Sequence, residues 1–580
     1  MKKIRILLAL ALIIPAVTLA GCSKDEEGGE TAKAPASERS EAVDLLAMVP
    51  ENTQFLVKLE ALGKFYEQFV VSQNTIMGVA LKDKDIEKIK TGLGFNPLNA
   101  EEVRQAGFNL EKPFCLAATN VKLDPADKQE IGSDVFGLLP LSEGADALDT
   151  IRSGLRNNNV LFVEAEKDGV PFIKWHSGQE KGCLAVKDQY LYMTINSQTD
   201  PQLFLESVIE NTSSLTNAEA FRTVASETDL TRGLVFYANI ADIVEKNSDQ
   251  LTQAAACQSA QTADAIESLG QYSSAALTVD LGSPDLEVNS ITALVDDHEM
   301  KKIWSEDCVN RQKVLSITEP AALLLSFGAN IKGYYDVIKT MTPPNQEESI
   351  KTRMDAFKEK TGIDPETELL DNLSGSINFG LYDGASITML NYNALFTAGI
   401  KDEKLMKQVI DKAIKLLPPD KQAMVSRQKV GGTDAYVVNA GMVQMYTGVD
   451  DNKLLLASGK PIFEKALKAE KDKGFAQKLT DERLKNSLTS NRNIFYLNID
   501  EGVKTANNFA MFLAEPAGGV QKFKDKLDAA GRFEYVLASG KLDKNIIKSQ
   551  FIVKTRFSKP FFLKLAQMID EFEPEENSLN

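Results

Sequence analysis

Residues that could carry out chemistry are few and widely spaced in this 580-residue chain. Histidine occurs only at His176 and His298, and neither belongs to an HExxH motif, which would place two zinc ligands one helical turn apart. The chain has no GxSxG sequence to present a serine nucleophile and no GxxxxGK[ST] loop to bind a phosphate. These absences argue against a zinc peptidase, a common serine hydrolase and a P-loop enzyme, and we expect no enzyme and no cofactor.

Four cysteines lie in the body of the chain, at Cys115, Cys183, Cys257 and Cys308. None has the CxxC spacing of a zinc or thioredoxin-like site. An exported protein can keep disulfides, and four cysteines allow three pairings. The two alternatives are therefore one or more disulfides among these cysteines, or buried free thiols.

Acidic turns are the remaining candidates for a metal ion. Asp188-Gln189 and Asp450-Asp451-Asn452 could offer oxygen ligands to calcium, but the DxDxDG spacing of a calcium loop is missing. Tight hairpin turns favour the same residue types. We therefore interpret both segments as turns and predict no metal site.

Two aromatic patterns allow a structural or a functional interpretation. Trp175-His176 lies in a predicted strand, where a packed aromatic beside an imidazole is favoured over a catalytic pair. Phe236-Tyr237 returns as Phe495-Tyr496. Sheet packing is favoured for these pairs over an aromatic cage for a ligand.

The first 21 residues have the pattern of a secretory signal peptide. A basic start precedes the apolar run from Ile6 to Ala20, which is shorter than the roughly 20 residues that a spanning helix needs. The run ends in Leu19-Ala20-Gly21-Cys22, which closely resembles the lipobox of bacterial lipoproteins. The resemblance implies cleavage before Cys22 and acylation of its sulfur and new amino group, with palmitate as a typical chain. Cys22 is thus the predicted lipid attachment site and anchors the protein to a membrane.

Residues 22–42 have the composition of a flexible tether, without aromatic residues and too polar to form a core. Ser23 after the anchor cysteine resembles the outer-membrane pattern of enterobacterial lipoproteins. Lys24-Asp25-Glu26-Glu27 resembles the acidic export tag of surface lipoproteins in the Bacteroides group, although a solvated charged linker is the favoured explanation. We expect a bacterial envelope protein, anchored in the outer membrane on its periplasmic face or at the cell surface. The net charge of −17 argues against nucleic acid, which binds basic patches.

An internal repeat organises the rest of the chain. Five blocks of the first half return in the same order in the second half. Their offsets drift only from 270 positions, between Pro50 and Pro320, to 259 positions, between Phe236 and Phe495. In each half a strand, a helix and a proline turn precede strands joined by short turns, which pair antiparallel.

The predicted fold class is α+β: a tandem duplication of two domains, each an antiparallel β-sheet with helices packed on one face. The predicted segments are a signal peptide (1–21), a tether (22–42), a first repeat domain (43–300), a linker (301–312), a second repeat domain (313–557), and a C-terminal helix with an acidic tail (558–580). We expect the C-terminal helix to dock on the second domain, with a partner protein as the alternative.

The segments VPENTQFLVKLEAL and TGIDPETELLDNLSGSINFGL resemble the uncharacterised bacterial envelope proteins of the DUF3352 family, and similar lipoproteins occur under names such as DUF4836. The resemblance implies the fold and the location. It carries over no activity and no functional residues.

Three functions fit these observations. A non-enzymatic envelope lipoprotein that binds or scaffolds is favoured, with an envelope protein as one partner class. A carrier of a lipid or other hydrophobic ligand is the alternative, and apolar residues on both faces of the sheet strands would distinguish it. An uncharacterised envelope hydrolase with a carboxylate site is the third.

Overall fold

The chain divides into two compact units in this computed structural model. Unit 1 holds the described residues up to Val295 and those from Phe557 onward, and unit 2 runs from Asp296 to Arg556. The described residues are 45–66, 95–96, 99–122, 132–144, 147–157, 159–177, 180–195, 199–257, 269–296, 298, 303, 311–328, 330–341, 344–388, 392–441, 443–469, 474–510 and 527–572. The predicted signal peptide, the tether, Cys22 and Cys308 lie outside them.

Unit 1 is built on an antiparallel sheet. Its ten described strands follow the order β10-β9-β8-β1-β2-β3-β7-β6-β5-β4. The strands are β1 (Phe55–Leu59), β2 (Phe114–Lys122), β3 (Gly132–Pro140), β4 (Leu161–Lys167), β5 (Val170–Ser177), β6 (Glu180–Lys187), β7 (Tyr190–Ile195), β8 (Leu234–Asn239), β9 (Tyr272–Val279) and β10 (Leu286–Leu294).

Helices connect these strands and cover the sheet. In chain order they are α1 (Leu62–Phe65), α2 (Ala100–Gln105), α3 (Ala147–Asn157), α4 (Pro201–Ile209), α5 (Glu219–Ala225), α6 (Ile240–Lys246) and α7 (Ser248–Cys257), with 3₁₀ turns at Leu45–Met48 and Leu215–Asn217.

Unit 2 is built on a second antiparallel sheet. Its ten described strands follow the order β20-β19-β18-β11-β12-β13-β17-β16-β15-β14. The strands are β11 (Ala321–Gly328), β12 (Leu373–Tyr382), β13 (Asn393–Ile400), β14 (Val425–Val430), β15 (Thr433–Ala440), β16 (Val443–Asp450), β17 (Lys453–Ala457), β18 (Asn493–Asn498), β19 (Phe533–Asp543) and β20 (Ile546–Thr555).

The helices of unit 2 follow the same plan. They are α8 (Gln312–Leu315), α9 (Ile331–Met341), α10 (Pro344–Thr361), a π-helical segment (Pro365–Leu370), α11 (Glu403–Lys415), α12 (Pro419–Gln422), α13 (Lys460–Leu467), α14 (Glu482–Ser490) and α15 (Ile499–Ala510), with 3₁₀ turns at Gly384–Ser386 and Phe475–Lys478.

The predicted duplication is confirmed by strand order, because adding ten to each strand number of unit 1 gives the order of unit 2. Matching turns support it. Asp188 and Gln189 join β6 to β7 with φ of 50° and 62°, and Asp451 and Asn452 join β16 to β17 with φ of 53° and 52°. Positive φ at both central residues is characteristic of a type I′ hairpin turn, so both acidic segments form the predicted turns.

The α+β class is confirmed, but helices pack on both faces of each sheet rather than on one. In unit 1, Phe204 of α4 packs against Phe136 on one face, with ring centroids 6.2 Å apart. Helix α3 lies on the other face, where it joins the cluster that contains Ile173 and Leu184. In unit 2, α13 and α11 join separate clusters with the strands.

The reason for the two covered faces can be seen in β6. Leu184 and Ala185 point to opposite faces of this strand and are both buried. A short apolar run of this kind fits a strand that is buried on both sides, and the alternation that marks a one-sided sheet is absent.

The recurring Phe-Tyr-x-Asn-Ile sequence ends a strand and starts a helix. The side-chain oxygens of Asn239 and Asn498 accept hydrogen bonds from the amides of Asp242 and Glu501, each at 3.2 Å. An asparagine that precedes a helix in this way satisfies an otherwise unpaired amide. The pattern therefore recurs because both units need the same strand-to-helix junction.

The C-terminal helix α16 (Phe561–Phe572) belongs to unit 1. The Phe561 amide donates to the carbonyl of Ser283 at 3.0 Å, and Phe561 and Met568 are both buried. The expectation that this helix docks on the second domain is wrong. Its apolar spacing predicted that it would be buried, but helical spacing does not specify the surface it covers.

Candidate functional site

The central strands of unit 2 carry apolar side chains on a face that is only partly covered. We define the open face of unit 2 as Leu325, Phe327, Phe379, Phe396 and Phe495. Four of these residues form one cross-strand row through β18, β11, β12 and β13. Phe495 of this row is 41% exposed, and Phe327, two residues along β11, is 45% exposed. The open face therefore presents aromatic rings to the surface of the unit.

Unit 1 has a smaller version of the same surface. We define its open face as Val57, Leu116, Val135 and Phe236. Val57 lies directly between Leu116 and Phe236 in the sheet register, and Leu116 is 42% exposed. The two open faces occupy equivalent strands of the duplicated sheets.

Both faces of β11 and β18 thus carry large apolar side chains. Leu324 and Tyr496 alternate with Leu325 and Phe495 along their strands and are buried in the core of unit 2. A sheet with one solvated face normally alternates apolar and polar residues. The open faces therefore provide apolar area without acid–base groups, which suits contact with an apolar ligand rather than catalysis.

A cleft of about 470 Å³ lies in unit 1. Its lining residues are Pro50, Glu51, Asn52, Thr119, Phe204, Ser207, Val208, Asn211 and Ser213. All of them are described, and Glu51 is the only ionisable residue among them. The Glu51 carboxylate accepts a hydrogen bond from the Ser213 hydroxyl, so the cleft lacks a pair of groups for acid–base chemistry.

Cys115 and Cys183 are free thiols with no exposed surface, so a disulfide between them is excluded. They lie on β2 and β6, which β3 and β7 separate. Three strand spacings put them about 14 Å apart, and a disulfide requires Cα atoms within about 7 Å. Burial raises the pKa of each thiol to about 12, which makes both poor nucleophiles. Pairings that involve Cys308 or the side chain of Cys257 fall outside the described part of the chain.

Trp175 and His176 are packed as neighbours on opposite faces of β5. Trp175 covers Gly182 of β6, its direct cross-strand partner, and a Cβ at Gly182 would lie 2.5 Å from the indole ring. His176 is exposed. The two side chains therefore cannot act together on one reactant.

A glycine-to-alanine substitution is expected to have opposite effects at Gly182, which Trp175 covers, and at Gly502, which has open space around it. G182A is expected to lower the free energy of unfolding by about 1–3 kcal/mol, because the new methyl group overpacks the indole. G502A lies in α15 with no atom within 4 Å of its Cβ and is expected to add about 0.5–1 kcal/mol. Urea unfolding of both variants checks this, and a stable G182A would contradict the contact.

Buried charges in both units act on main-chain carbonyls. The Arg311 guanidinium donates to the carbonyls of Leu488 and Arg492, at 2.6 and 2.9 Å, next to the end of α14. Burial lowers the pKa of Arg311 to about 9. In unit 1 the Lys58 amine donates to the Thr231 carbonyl at 2.7 Å. These contacts stabilise loops and a helix end, which indicates a structural role for both cations.

Sequence reasoning missed a polar network inside unit 2. The Asn378 amide accepts from Ser326 at 2.7 Å and donates to Ser376 and Thr397, each at 3.1 Å. All four residues are at most 3% exposed. Nothing in the strand sequence marks these polar positions as buried, and the complete hydrogen bonding indicates a structural role.

The described residues contain neither a candidate membrane span nor a candidate metal site. Within them no helix is both long and apolar enough to cross a membrane. Nor do they contain a group of three or more His, Cys, Asp or Glu side chains placed to hold a metal ion.

The fold and its open faces define a class: a duplicated α+β protein in which the described part of each unit is built on ten antiparallel strands. A family model described as "Protein of unknown function (DUF3352)" matches residues 111–554. The chain belongs to this family, which confirms that part of the resemblance seen in the sequence.

Two further comparisons add little. No curated protein matches the chain. Crystal form I of TP0453 is 11% identical to this chain, with a TM-score of 0.23. The matched region covers 44% of this chain and 80% of the TP0453 chain. Crystal form IV is 9% identical, with a TM-score of 0.24, and the matched region covers 43% of this chain and 81% of the TP0453 chain. Similarity at this level carries no functional argument.

Proposed function

We propose that this protein is a non-enzymatic binding protein of the bacterial cell envelope, anchored through a lipid on Cys22, in the outer membrane. The open faces support a binding role, because both units offer partly exposed apolar area on the central strands of a sheet. The lipobox-like sequence Leu19-Ala20-Gly21-Cys22 supports the anchor and the location.

The alternative function, a carrier of a hydrophobic ligand, is favoured by one observation. The open face of unit 2 places Leu325, Phe379 and Phe495 in one cross-strand row. Burying such side chains against an acyl chain contributes about 25 cal/mol per Å² of apolar area. An acyl-chain ligand is the chemistry that this surface fits best.

The carrier function predicts binding of cis-parinaric acid, a fluorescent fatty acid, to purified residues 23–580. The double variant F327S/F495S is expected to weaken binding at least tenfold, because it removes the most exposed rings of the open face. F357S is the matched control, since Phe357 is 43% exposed but lies on α10. Equal binding by all three proteins would contradict the carrier function, and native mass spectrometry would then search for a protein partner.

The anchor predicts incorporation of radiolabelled palmitate into the full chain in growing bacteria. C22A is expected to remove the label and to move the protein from the membrane to the soluble fraction, because alanine has no sulfur to carry the lipid. C115A is the control, since that thiol is buried. Label that persists in C22A would exclude this attachment site.

A further inference from the structure

Strands β4 and β14 end the strand order of their units at equivalent places and carry opposite net charge. Strand β4 pairs with β5, and β14 pairs with β15. In the described part of the chain each has a strand partner on one side only. A free strand edge carries unpaired N–H and C=O groups that can pair with another strand.

The two edges occupy equivalent places in the duplicated sheets but differ in side chains. On β4, Glu164 and Glu166 share one face, and Leu161 and Val163 on the other face are 79% and 68% exposed. On β14, Arg427 and Lys429 share one face and are exposed. Natural edges are usually protected by charges, especially lysine. Strand β14 follows that rule, whereas β4 leaves large apolar side chains exposed.

One antiparallel register matches both charge pairs at once. Placing Glu164 opposite Lys429 puts Glu166 opposite Arg427, because residue numbers across an antiparallel pair have a constant sum. The same register puts Val163 opposite Val430. A shift by two residues keeps only one of the charge pairs, and a shift by one removes both.

We propose that β4 of one copy of this chain pairs with β14 of a second copy, in this register. The occupant is a second copy because each chain carries one acidic edge and one basic edge. Pairing β4 with β4 so that Glu164 faces Glu166 would bring carboxylates together. The one cation of β4, Lys167, is already paired with Glu206 at 3.0 Å and Glu210 at 2.6 Å in its own unit. Pairing β14 with β14 would bring cations together. Like charges directly opposite are destabilising.

The contact joins different surfaces of the two copies, so it is heterologous and propagates into rings or open chains. Glu164 keeps its intrachain partner Arg152 at 3.2 Å, and Arg427 keeps Asp411. The interface is therefore an alternating network of charges beside a strip of apolar contact. It goes beyond the proposed binding function and does not depend on it.

Disulfide trapping tests the register. Ala165 falls opposite Gln428, so A165C and Q428C are placed in separate chains of residues 23–580 with Cys257 and Cys308 changed to serine. Mixing the two chains under oxidation is expected to give a heterodimer. A165C mixed with S490C, a cysteine at an exposed helix end, is the control. Cross-linking of A165C alone to the same extent, or none above the control, overturns the proposal.

Charge exchange tests the electrostatics. Each exposed opposite-charge pair changes an equilibrium by about 1.4–5-fold, so E164K/E166K is expected to weaken self-association in sedimentation by about tenfold or more. R427E/K429E is expected to do the same, and all four substitutions in one chain should restore association. E101K/E111K changes the net charge equally at exposed sites elsewhere. The proposal is overturned if the wild-type chain stays monomeric at about 1 mM. It is also overturned if the variant with all four substitutions does not regain self-association.

Discussion

F561A is expected to destabilise unit 1 by about 3–5 kcal/mol, the usual cost of removing a buried phenylalanine. Phe561 is only 6% exposed, and its ring lies 5.4 Å from that of Phe562 and 6.1 Å from that of Phe557. Its amide donates a hydrogen bond to the carbonyl of Ser283 in the same unit. The loss should therefore appear in unit 1, although the helix follows unit 2 in sequence.

Hydrogen exchange with mass spectrometry locates this effect. In F561A the amides of β9 and β10 should lose protection, and those of β14 to β17 should keep it. F562A is the matched control, because Phe562 is only partly buried and should cost less. Loss of protection in unit 2 instead of unit 1 would show that the helix docks where the sequence first indicated.

F463A is expected to destabilise unit 2 by about 3–5 kcal/mol. Phe463 of α13 has no exposed surface, and its ring lies 5.9 Å from Tyr446 of β16. A Cβ at Gly448 would lie only 2.8 Å from the same ring. The ring is thus closely surrounded, and its removal should leave a cavity that adds to the lost burial.

Urea unfolding measures this prediction, with F357A as the control in the same unit. Phe357 is 43% exposed, and surface substitutions usually change stability by less than about 0.5 kcal/mol. If F463A and F357A were equally stable, α13 would not be the helix that closes this face of the sheet.

The sequence predicted the α+β class and the duplication because each repeat must form the same turns and junctions. Asn239 and Asn498 begin helices, and Asp451-Asn452 adopts a positive φ, so local backbone needs preserved these residue types. Such backbone requirements involve only a few neighbouring residues, so they can be recognised in a single amino-acid sequence.

The features that sequence reasoning missed depend on contacts far apart in the chain. Leu184 and Ala185 gave no sign that helices cover both faces, since a short apolar run does not say what covers it. The open faces were only suggested by Phe236-Tyr237 and Phe495-Tyr496, because exposure depends on where helices stop. The separation of Cys115 from Cys183 follows from strand order, which cysteine spacing does not contain.

The assignment of α16 to unit 1 has a consequence for biosynthesis. A chain is made from its amino end, and domains generally fold as units as they emerge. Every residue of unit 2 up to Arg556 appears before α16, so unit 2 can complete its fold first. Unit 1 must wait for Phe561, and until then the surface that α16 covers is open to chaperones. A product shortened by its last two dozen residues would carry a finished second half and an unfinished first half.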